Sequence, residues 1–377
     1  MTSTVIVRYG ELALKSEPVR KRFERCLINS IKRSLQNVTY AIRTERGRIF
    51  VDTNATVKTV KILSQIPGIT SISPAVKTEA DIDALKVKVT TLAKKLLKPG
   101  MSFAVRTTRI GEHAFSSRDV NIAIGSHILS ILKNLKVDLS HPDVEISIEV
   151  RGNDAYVFSK TVQGVGGLPV GTQGKVVAIL SGNKKDVIAA FMVLKRGCAV
   201  TPLILDAYDG INHRRTGFII AQAKKLSLFG ADTTIWLFPF KEVLDQIQKK
   251  TDSRSSFIIR RRCELRAAEL VAERTAAEAV VTGDDAQSIA GTMLPNLHIT
   301  DAACQLPVLR PLSGLEENEI KKIGAKIGLK LTKGSKLSRP VRIAVNSAEE
   351  ILEKERIINV EKIIDDASKK IRKIEVR

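Results

Sequence analysis

No run of about 18 apolar residues occurs in the chain, so a membrane-spanning helix is not expected. The opening MTSTVIVRYGEL lacks the long apolar core of a secretory leader. Cysteine is sparse: Cys26, Cys198, Cys263 and Cys304 are scattered, form no C-x-x-C and do not pair with histidine at metal-ligand spacing. That argues against a disulfide framework or a zinc site and for a reduced, cytoplasmic setting with unbridged thiols. Aromatic residues make up only 4%, with one Trp and four Tyr. Recognition mainly by stacking on single-stranded bases is therefore disfavoured, and contact with phosphates and folded shape is favoured. Acidic residues are short: 61 Lys plus Arg face 40 Asp plus Glu, a formal charge of +21 over 377 residues. The excess is spread along the chain without a basic tail. It points to a polyanionic partner, nucleic acid being the commonest, with a solvated basic surface as the plainer alternative. There is no fixed-period repeat and no low-complexity segment.

What is present is an ordered series of α/β patterns, long enough for two or three domains. Thr4–Tyr9 alternates as a strand, and Glu17–Leu35 carries a helical stripe through Phe23, Leu27, Ile31 and Leu35. Arg43–Asp52 reads as strand, turn at Gly47, strand; Val57–Ser64 reads as helix, and a strand follows near Ser71. This β-α-β-β-α-β order suits a ferredoxin-like module closed by Pro74 and Ala75. A second unit follows: helix Glu79–Leu97, a break at Lys98-Pro99-Gly100, strand Ser102–Thr107, helix Arg118–Leu135, and strands Val144–Val150 and Ala155–Lys160. Arg106, Arg109 and Arg118 gather at its strand-to-helix turn and, with Lys160, form the candidate RNA-binding set; an ordinary solvated edge is the alternative.

From Lys175 onward strands (Val176–Leu180, Ala199–Leu205, Thr234–Phe238, Ala279–Thr282) alternate with helices (Arg214–Phe229, Phe240–Lys249, Arg261–Arg274), the pattern of a doubly wound, mostly parallel sheet. Ser347–Arg372 reads as a charged helical surface brace. Within this part, strand Val176–Leu180, turn Ser181-Gly182-Asn183, helix Asp186–Arg196, Gly197 and strand Ala199–Leu205 make a βαβ unit. A turn that opens directly into a helix offers backbone N–H groups to an anion, a candidate phosphate site, although most such turns bind nothing.

Several stretches together resemble the ThiI-type tRNA 4-thiouridine synthetase (sulfurtransferase) family: VIVRYGELALKS (Val5–Ser16), GRIFV (Gly47–Val51), PGITSISPA (Pro67–Ala75), FAVRTTR (Phe103–Arg109) with SSRDVNIAIGSHIL, GVGGLPVGTQGKV (Gly164–Val176), RRRCELRAAELVAE, AVVTGDDAQSIAGTMLPNL and LPVLRPLSGLEENEI. The resemblance covers nearly the whole chain in one order. It implies an N-terminal ferredoxin-like domain (1–76), a THUMP RNA-binding domain (77–165) and a PP-loop ATP pyrophosphatase-like domain (166–377). It also implies a tRNA partner, ATP with Mg, adenylation of a uridine C4 oxygen, and sulfur delivered through a cysteine persulfide or by a cysteine desulfurase or other donor. A part in thiamine sulfur chemistry is a weaker implication, and a homodimer is left open.

The site residues that follow from it are Ser181, Gly182, Asn183, Thr282, Gly283 and Asp284 for nucleotide, and Lys185, Asp186, Cys263 and Cys304 for chemistry. Three departures stand out. In the Ser-Gly-Gly-x-Asp-Ser loop, Asn183 replaces the second glycine, Lys185 the aspartate and Asp186 the last serine. Phe257 and Arg260 stand where some relatives carry C-x-x-C, and no cysteine follows Cys304. Gln287-Ser288 and Gly291 depart from the family's pattern after Thr282-Gly283-Asp284. Asn183 is expected to tolerate a left-handed backbone. The reversed charge at Lys185 leads to an expectation of weak ATP binding, unless Lys185 meets phosphate directly and Asp186 takes the carboxylate role. Two readings result: a tRNA-thiolating enzyme with sulfur supplied by a partner, or a catalytically inactive tRNA-binding paralogue whose pyrophosphatase fold is a scaffold.

Overall fold

The computed structural model describes residues 3–11, 15–45, 47–208, 210, 213–292, 294–329 and 347–376. Part of the opening VIVRYGELALKS segment, residues 12–14, lies outside them. The chain forms two compact units: Met1–Lys15, Ile31–Gln65 and Ile69–Gly166 make one, and Ser16–Ser30, Ile66–Gly68 and Gly167–Arg377 the other.

The first ten elements confirm the small-module pattern. They are β1 (Ser3–Tyr9), α1 (Glu17–Ser34), β2 (Tyr40–Glu45), β3 (Arg48–Thr53), α2 (Thr56–Leu63), β4 (Ile69–Glu79), α3 (Ile82–Leu96), β5 (Ser102–Ile110), α4 (Ser117–Ile131) and β6 (Lys136–Val137), followed by β7 (Val144–Arg151), β8 (Asp154–Phe158) and β9 (Val162–Gln163). The helical stripe Phe23, Leu27, Ile31 and Leu35 is buried as expected. Gly47, at φ +81°, turns β2 back into β3, a backbone angle that residues with a side chain seldom adopt. Asp81 caps α3 by accepting from the N–H groups of Asp83 and Ala84, and Ser116 with Asp119 closes a reciprocal cap on α4.

The strands form one sheet in the order β2-β3-β1-β4-β8-β7-β5-β6, with β9 beside β4. Pro74 and Ala75 do not close a module: they lie inside the 11-residue β4, which pairs with β1 up to Ala75 and with β8 from Val76. Pro74, which has no N–H to donate, sits next to this exchange of partners, where the loss is cheapest. Ile6, Phe50, Ala75, Tyr156 and Phe158 form one buried cluster across that junction, with Phe50 stacked on Tyr156 at 4.7 Å between centroids.

A buried charge sits in the same sheet. Glu149 on β7 is 3% exposed; it accepts from Arg8 (3.2 Å), Arg48 (2.9 Å) and Arg151 (2.7 Å). Burial pushes its acidity down, but the three guanidiniums outweigh burial and hold the carboxyl below its ordinary range.

The second unit continues with β10 (Lys175–Leu180), α5 (Lys184–Lys195), β11 (Ala199–Asp206), α6 (Arg214–Ser227), β12 (Thr234–Pro239), α7 (Lys241–Lys250), α8 (Ser253–Thr275), β13 (Ala279–Val281), α9 (Ala286–Thr292), α10 (Leu294–Asp301), β14 (Val308–Leu309), α11 (Glu317–Lys326), α12 (Ala348–Ile358), α13 (Val360–Ser368) and β15 (Arg372–Glu375). The sheet order is β14-β13-β10-β11-β12-β15, parallel except for β15. Its strands are apolar on both faces, as a covered parallel sheet requires. The 347–372 segment is not a solvated brace. Ile351, Ile358, Val360, Ile364 and Ala367 join the core against α8, and β15 pairs with β12. Glu355 is buried there because Arg262 and Arg266 both bind its carboxylate.

Glu149→Gln should destabilise the chain by about 3 kcal/mol in urea unfolding, because three arginines are left without their counter-charge. A folded pKa held below the unfolded value means that the contribution of Glu149 is present above about pH 4.3 and lost as pH falls further. The urea midpoint of wild type should therefore drop more steeply on acidification than that of Glu149→Gln.

Candidate functional site

In an open parallel sheet the ligand crevice lies at the carboxyl ends of strands, where chain order reverses. Here β10 is flanked by β11, which follows it, and by β13, reached only after three further helices. The reversal therefore places the loop after β10, Ser181–Asn183, beside the loop after β13, Thr282–Asp285.

Each residue of the first loop has a geometric reason. Gly182 sits at φ +95° with Ile219 packed 3.2 Å from where a Cβ would be, so glycine is required. Asn183 is extended, not left-handed: it caps α5, its Oδ1 accepting from the Lys185 N–H at 3.0 Å. A second glycine is therefore unnecessary. Asp186 turns back, its Oδ2 accepting from the Ser181 N–H (2.8 Å) and Oγ–H (2.7 Å). Burial raises its pKa to about 6, with the neighbouring Asp284 adding to the rise.

The second loop fits against the first because residue 283 has no side chain. A Cβ on Gly283 would lie 2.2 Å from Asp186 Oδ1 and 2.6 Å from its backbone nitrogen. Lys185, the residue with reversed charge, is buried and donates its ammonium to Asp285 Oδ2. Asp285 Oδ1 accepts from the N–H (3.0 Å) and Oγ–H (2.7 Å) of Ser288. Against burial, which raises it, Lys185 and Ser288 hold the Asp285 carboxyl below its ordinary range. Asp284 Oδ2 accepts from Arg261 (2.5 Å), Thr282 Oγ (2.8 Å) and Arg310 (3.3 Å). Arg310 also forks onto Asp301 at 2.9 and 2.6 Å.

Ser181, Gly182, Asn183, Lys185, Asp186, Thr282, Gly283 and Asp284 are thus brought together. Lys185 does not stand bare in the loop; its ammonium is held by Asp285. Asp285, Arg261 and Arg310 escaped sequence reasoning. An aspartate in the loop after β13, opposite a lysine in the loop after β10, was the available signal. Asp285 has both oxygens engaged, whereas the bonds to Asp284 all fall on Oδ2, so Asp284 Oδ1 is the oxygen that would hold a magnesium ion carried in on a nucleotide's phosphates; among the described residues no three His, Cys, Asp or Glu side chains converge as a metal cage of their own.

The cysteines are elsewhere. Cys263 is buried in the core around α8, and burial pushes its thiol up to about 12; burial likewise pushes Cys304 up to about 11. Cys198 directly precedes β11 and Cys304 precedes β14, at the amino ends of the strands, away from the loops. Of the four candidate RNA-binding cations, two are not on one face. Arg106 and Arg109 are three apart on β5 and project to opposite faces. The guanidinium of Arg106 is engaged by Glu145 (2.6 Å) and the Leu139 carbonyl (2.7 Å), and Arg109 donates to the Gly111 carbonyl (3.2 Å). Arg118, in the first turn of α4, and Lys160 are exposed.

Comparison with known proteins follows the same divisions. Residues 171–336 match the family model of "Thiamine biosynthesis protein (ThiI)", 79–160 that of the THUMP domain and 4–73 that of the ThiI ferredoxin-like domain. A probable tRNA sulfurtransferase of Methanosarcina mazei is 32% identical over 98% of this chain and 94% of its own length. One from Brevibacillus brevis is 31% identical over 86% and 82%. A 4-thiouridine synthetase solved as an RNA complex with bound ATP superposes with a TM-score of 0.84 at 27% identity, covering all of both chains. The structure of PH1313 from Pyrococcus horikoshii gives 0.70 at 28% identity over 87% of this chain.

Because the folded Asp186 holds its proton more tightly than an unfolded aspartate, ionising it costs stability as pH rises from about 4 to about 6. Asp186→Asn should remove that slope, gaining on the order of 2 kcal/mol relative to wild type between pH 4 and pH 7 in urea titrations. Parallel curves would show that the carboxyl is not held neutral by its burial.

Proposed function

Since this chain belongs to the ThiI family of tRNA sulfurtransferases, we propose that it converts a uridine of tRNA to 4-thiouridine. ATP seated at the paired loops adenylates the uridine C4 oxygen, releasing pyrophosphate and the N3 proton, and a sulfur nucleophile then displaces AMP. The observation that carries this reading is the mutual fit of Ser181–Asp186 and Thr282–Asp285 at the switch point, in a chain similar throughout to a synthetase solved with RNA and ATP. The amino end of α5 favours phosphate. Arg261 and Arg310, fixed by Asp284, are placed to offset charge on the departing groups. No step is assigned to magnesium.

Sulfur comes from outside the chain. All four cysteines lie among the described residues, all are free thiols, and Cys263 and Cys304 stay protonated at neutral pH. The donor is a cysteine desulfurase or another source of hydrosulfide. With HS⁻ the step balances without an oxidant: a C4–S bond forms, the C4–O bond breaks, AMP leaves with the oxygen, and the proton moves to the ring N3. Free thiols support a cytoplasmic setting, and 1–76, 77–165 and 166–377 serve as working domain limits. The inactive-paralogue reading has no specific observation behind it, and a thiamine role would again want a persulfide cysteine.

Purified protein with tRNA, ATP and hydrosulfide should yield 4-thiouridine, read by nucleoside mass spectrometry. Cys263→Ala and Cys304→Ala should retain that activity. No thionucleoside with hydrosulfide or with a desulfurase and cysteine, from protein that still binds tRNA, would sink the reading.

For the RNA, Arg118→Ala and Lys160→Ala should each weaken tRNA binding and lower the salt slope by about one. Arg106→Ala should do less, since Glu145 already holds that guanidinium. Gel-shift titrations across salt concentrations decide between these positions.

A further inference from the structure

Helix α6 lies against β11 and α5 and carries no acidic residue in its 14 positions. Its inward face is Thr216, Ile219, Gln222, Ala223 and Leu226, all buried. Thr216 donates to Asp206 Oδ1 at 2.8 Å, and Ile219 packs against Gly182 of the first loop. The outward face is fixed by these contacts: Arg214, Arg215, Phe218, Ala221 and Lys224 are exposed. Among the described residues no carboxylate pairs with any of the four cations of this helix. Arg215 donates to the Tyr208 hydroxyl at 2.7 Å and lies over that ring, which stacks on His213 at 4.4 Å between centroids. Lys225 donates to the Gly328 carbonyl at 3.2 Å. Other helices of the unit differ, since α7, α11, α12 and α13 interleave acidic with basic residues.

Arg214 and Lys224 stand about 15 Å apart along the helix axis, a length over which a nucleic-acid strand carries several phosphates. Cations without a carboxylate partner release counter-ions when phosphates arrive. Phe218, 52% exposed among them, offers a ring that a ribose or an unstacked base can cover. The apolar face that a bilayer would take up is turned inward and used by the sheet.

We propose that the outward face of α6 is a second RNA contact, carried by the nucleotide unit and additional to Arg118 and Lys160 of the first. Arg214, Arg215 and Lys224 hold phosphates of the tRNA, and Phe218 covers a nucleoside among them. Its place gives the contact a purpose. α6 is the element after β11, β11 pairs with β10, and Ile219 touches the turn at Gly182. RNA lying along α6 is therefore held beside the loops that activate its uridine. The inference rests on the reading of the chain as a tRNA-thiolating enzyme.

Fluorescence-anisotropy titration of the full chain with labelled tRNA, across salt concentrations, tests it. Arg214→Ala with Lys224→Ala, both exposed and without an ion pair, should weaken binding about tenfold and lower the salt slope by about two. Phe218→Ala should weaken it about threefold with the slope unchanged, since a ring releases no counter-ion. The control Lys249→Ala with Lys250→Ala removes two exposed cations from the end of α7 and should leave affinity and slope as in wild type. Wild-type affinity and slope in the α6 charge variant, from protein that still forms 4-thiouridine, overturn the inference and leave the thiolation reading intact. An equal loss in the α7 control does the same, because the effect is then one of net charge alone. So does loss of binding to phosphatidylserine vesicles with tRNA binding unchanged, which assigns the face to a membrane. If wild type neither binds tRNA nor thiolates it, the reading and the inference fall together.

Discussion

The two loops of the candidate site meet because Gly283 has no side chain. Any Cβ there would collide with Asp186, and the second loop would be held away from the first. The other contacts follow from that approach. Asp186 is buried under it, which is why its acidity is weakened towards neutrality. Lys185 is brought to Asp285, a partner 100 residues away in sequence, and the pair is buried where either member alone would be costly. Asp284 collects Arg261 from α8 and Arg310 from just after β14, so two elements distant in sequence are tied to one carboxylate. The site is thus a network with few loose members. Removing one charge from it is expected to disturb several others.

Much of this was legible because local patterns are local. The period-two and helical runs placed the longer strands and most helices, while short β6, β9, β14 and β15 and helices α9, α10 and α11 were not read. Gly182 announced its turn, and the order of strands and helices implied a sheet with a switch point. What escaped depends on distance in sequence. A lysine in place of an expected carboxylate looks like damage until the aspartate across the crevice is seen, and no window of neighbouring residues contains both. Asn183 was expected to supply a left-handed residue and instead supplies a cap, since both uses draw on the same short polar side chain. The segment 347–372 looked solvated because Glu355 sits in its helical stripe between Ile351 and Ile358. The arginines that make that glutamate an interior residue belong to α8. Pro74 misled for a related reason: proline ends most strands, but here the strand changes partner at the very place where an N–H is not needed.

The thiols show how position bears on chemistry. In a parallel sheet the carboxyl ends of the strands carry the ligand, and the amino ends face the other way. Cys198 and Cys304 precede their strands and Cys263 lies in the core, so none borders the loops that would hold a nucleotide. A persulfide attacking carbon also leaves a disulfide that a second thiol must reduce, and four scattered, unpaired cysteines offer no such pair. An external hydrosulfide avoids both difficulties.

The net charge of +21 marks a polyanion binder, yet its use is uneven. In the first unit Arg8, Arg48 and Arg151 are spent on the buried Glu149, Arg43 on Asp52, and Arg106 on Glu145. A guanidinium already hydrogen-bonded to a carboxylate releases no counter-ion when a phosphate arrives, and to contact one it must first give up its partner. On the proposed reading the affinity of the unit for RNA is expected to follow the cations left exposed, such as Arg118 and Lys160, rather than the count of basic residues. The sequence total measures how much positive charge the chain carries. Only the pairing shows how much of it a nucleic acid can reach.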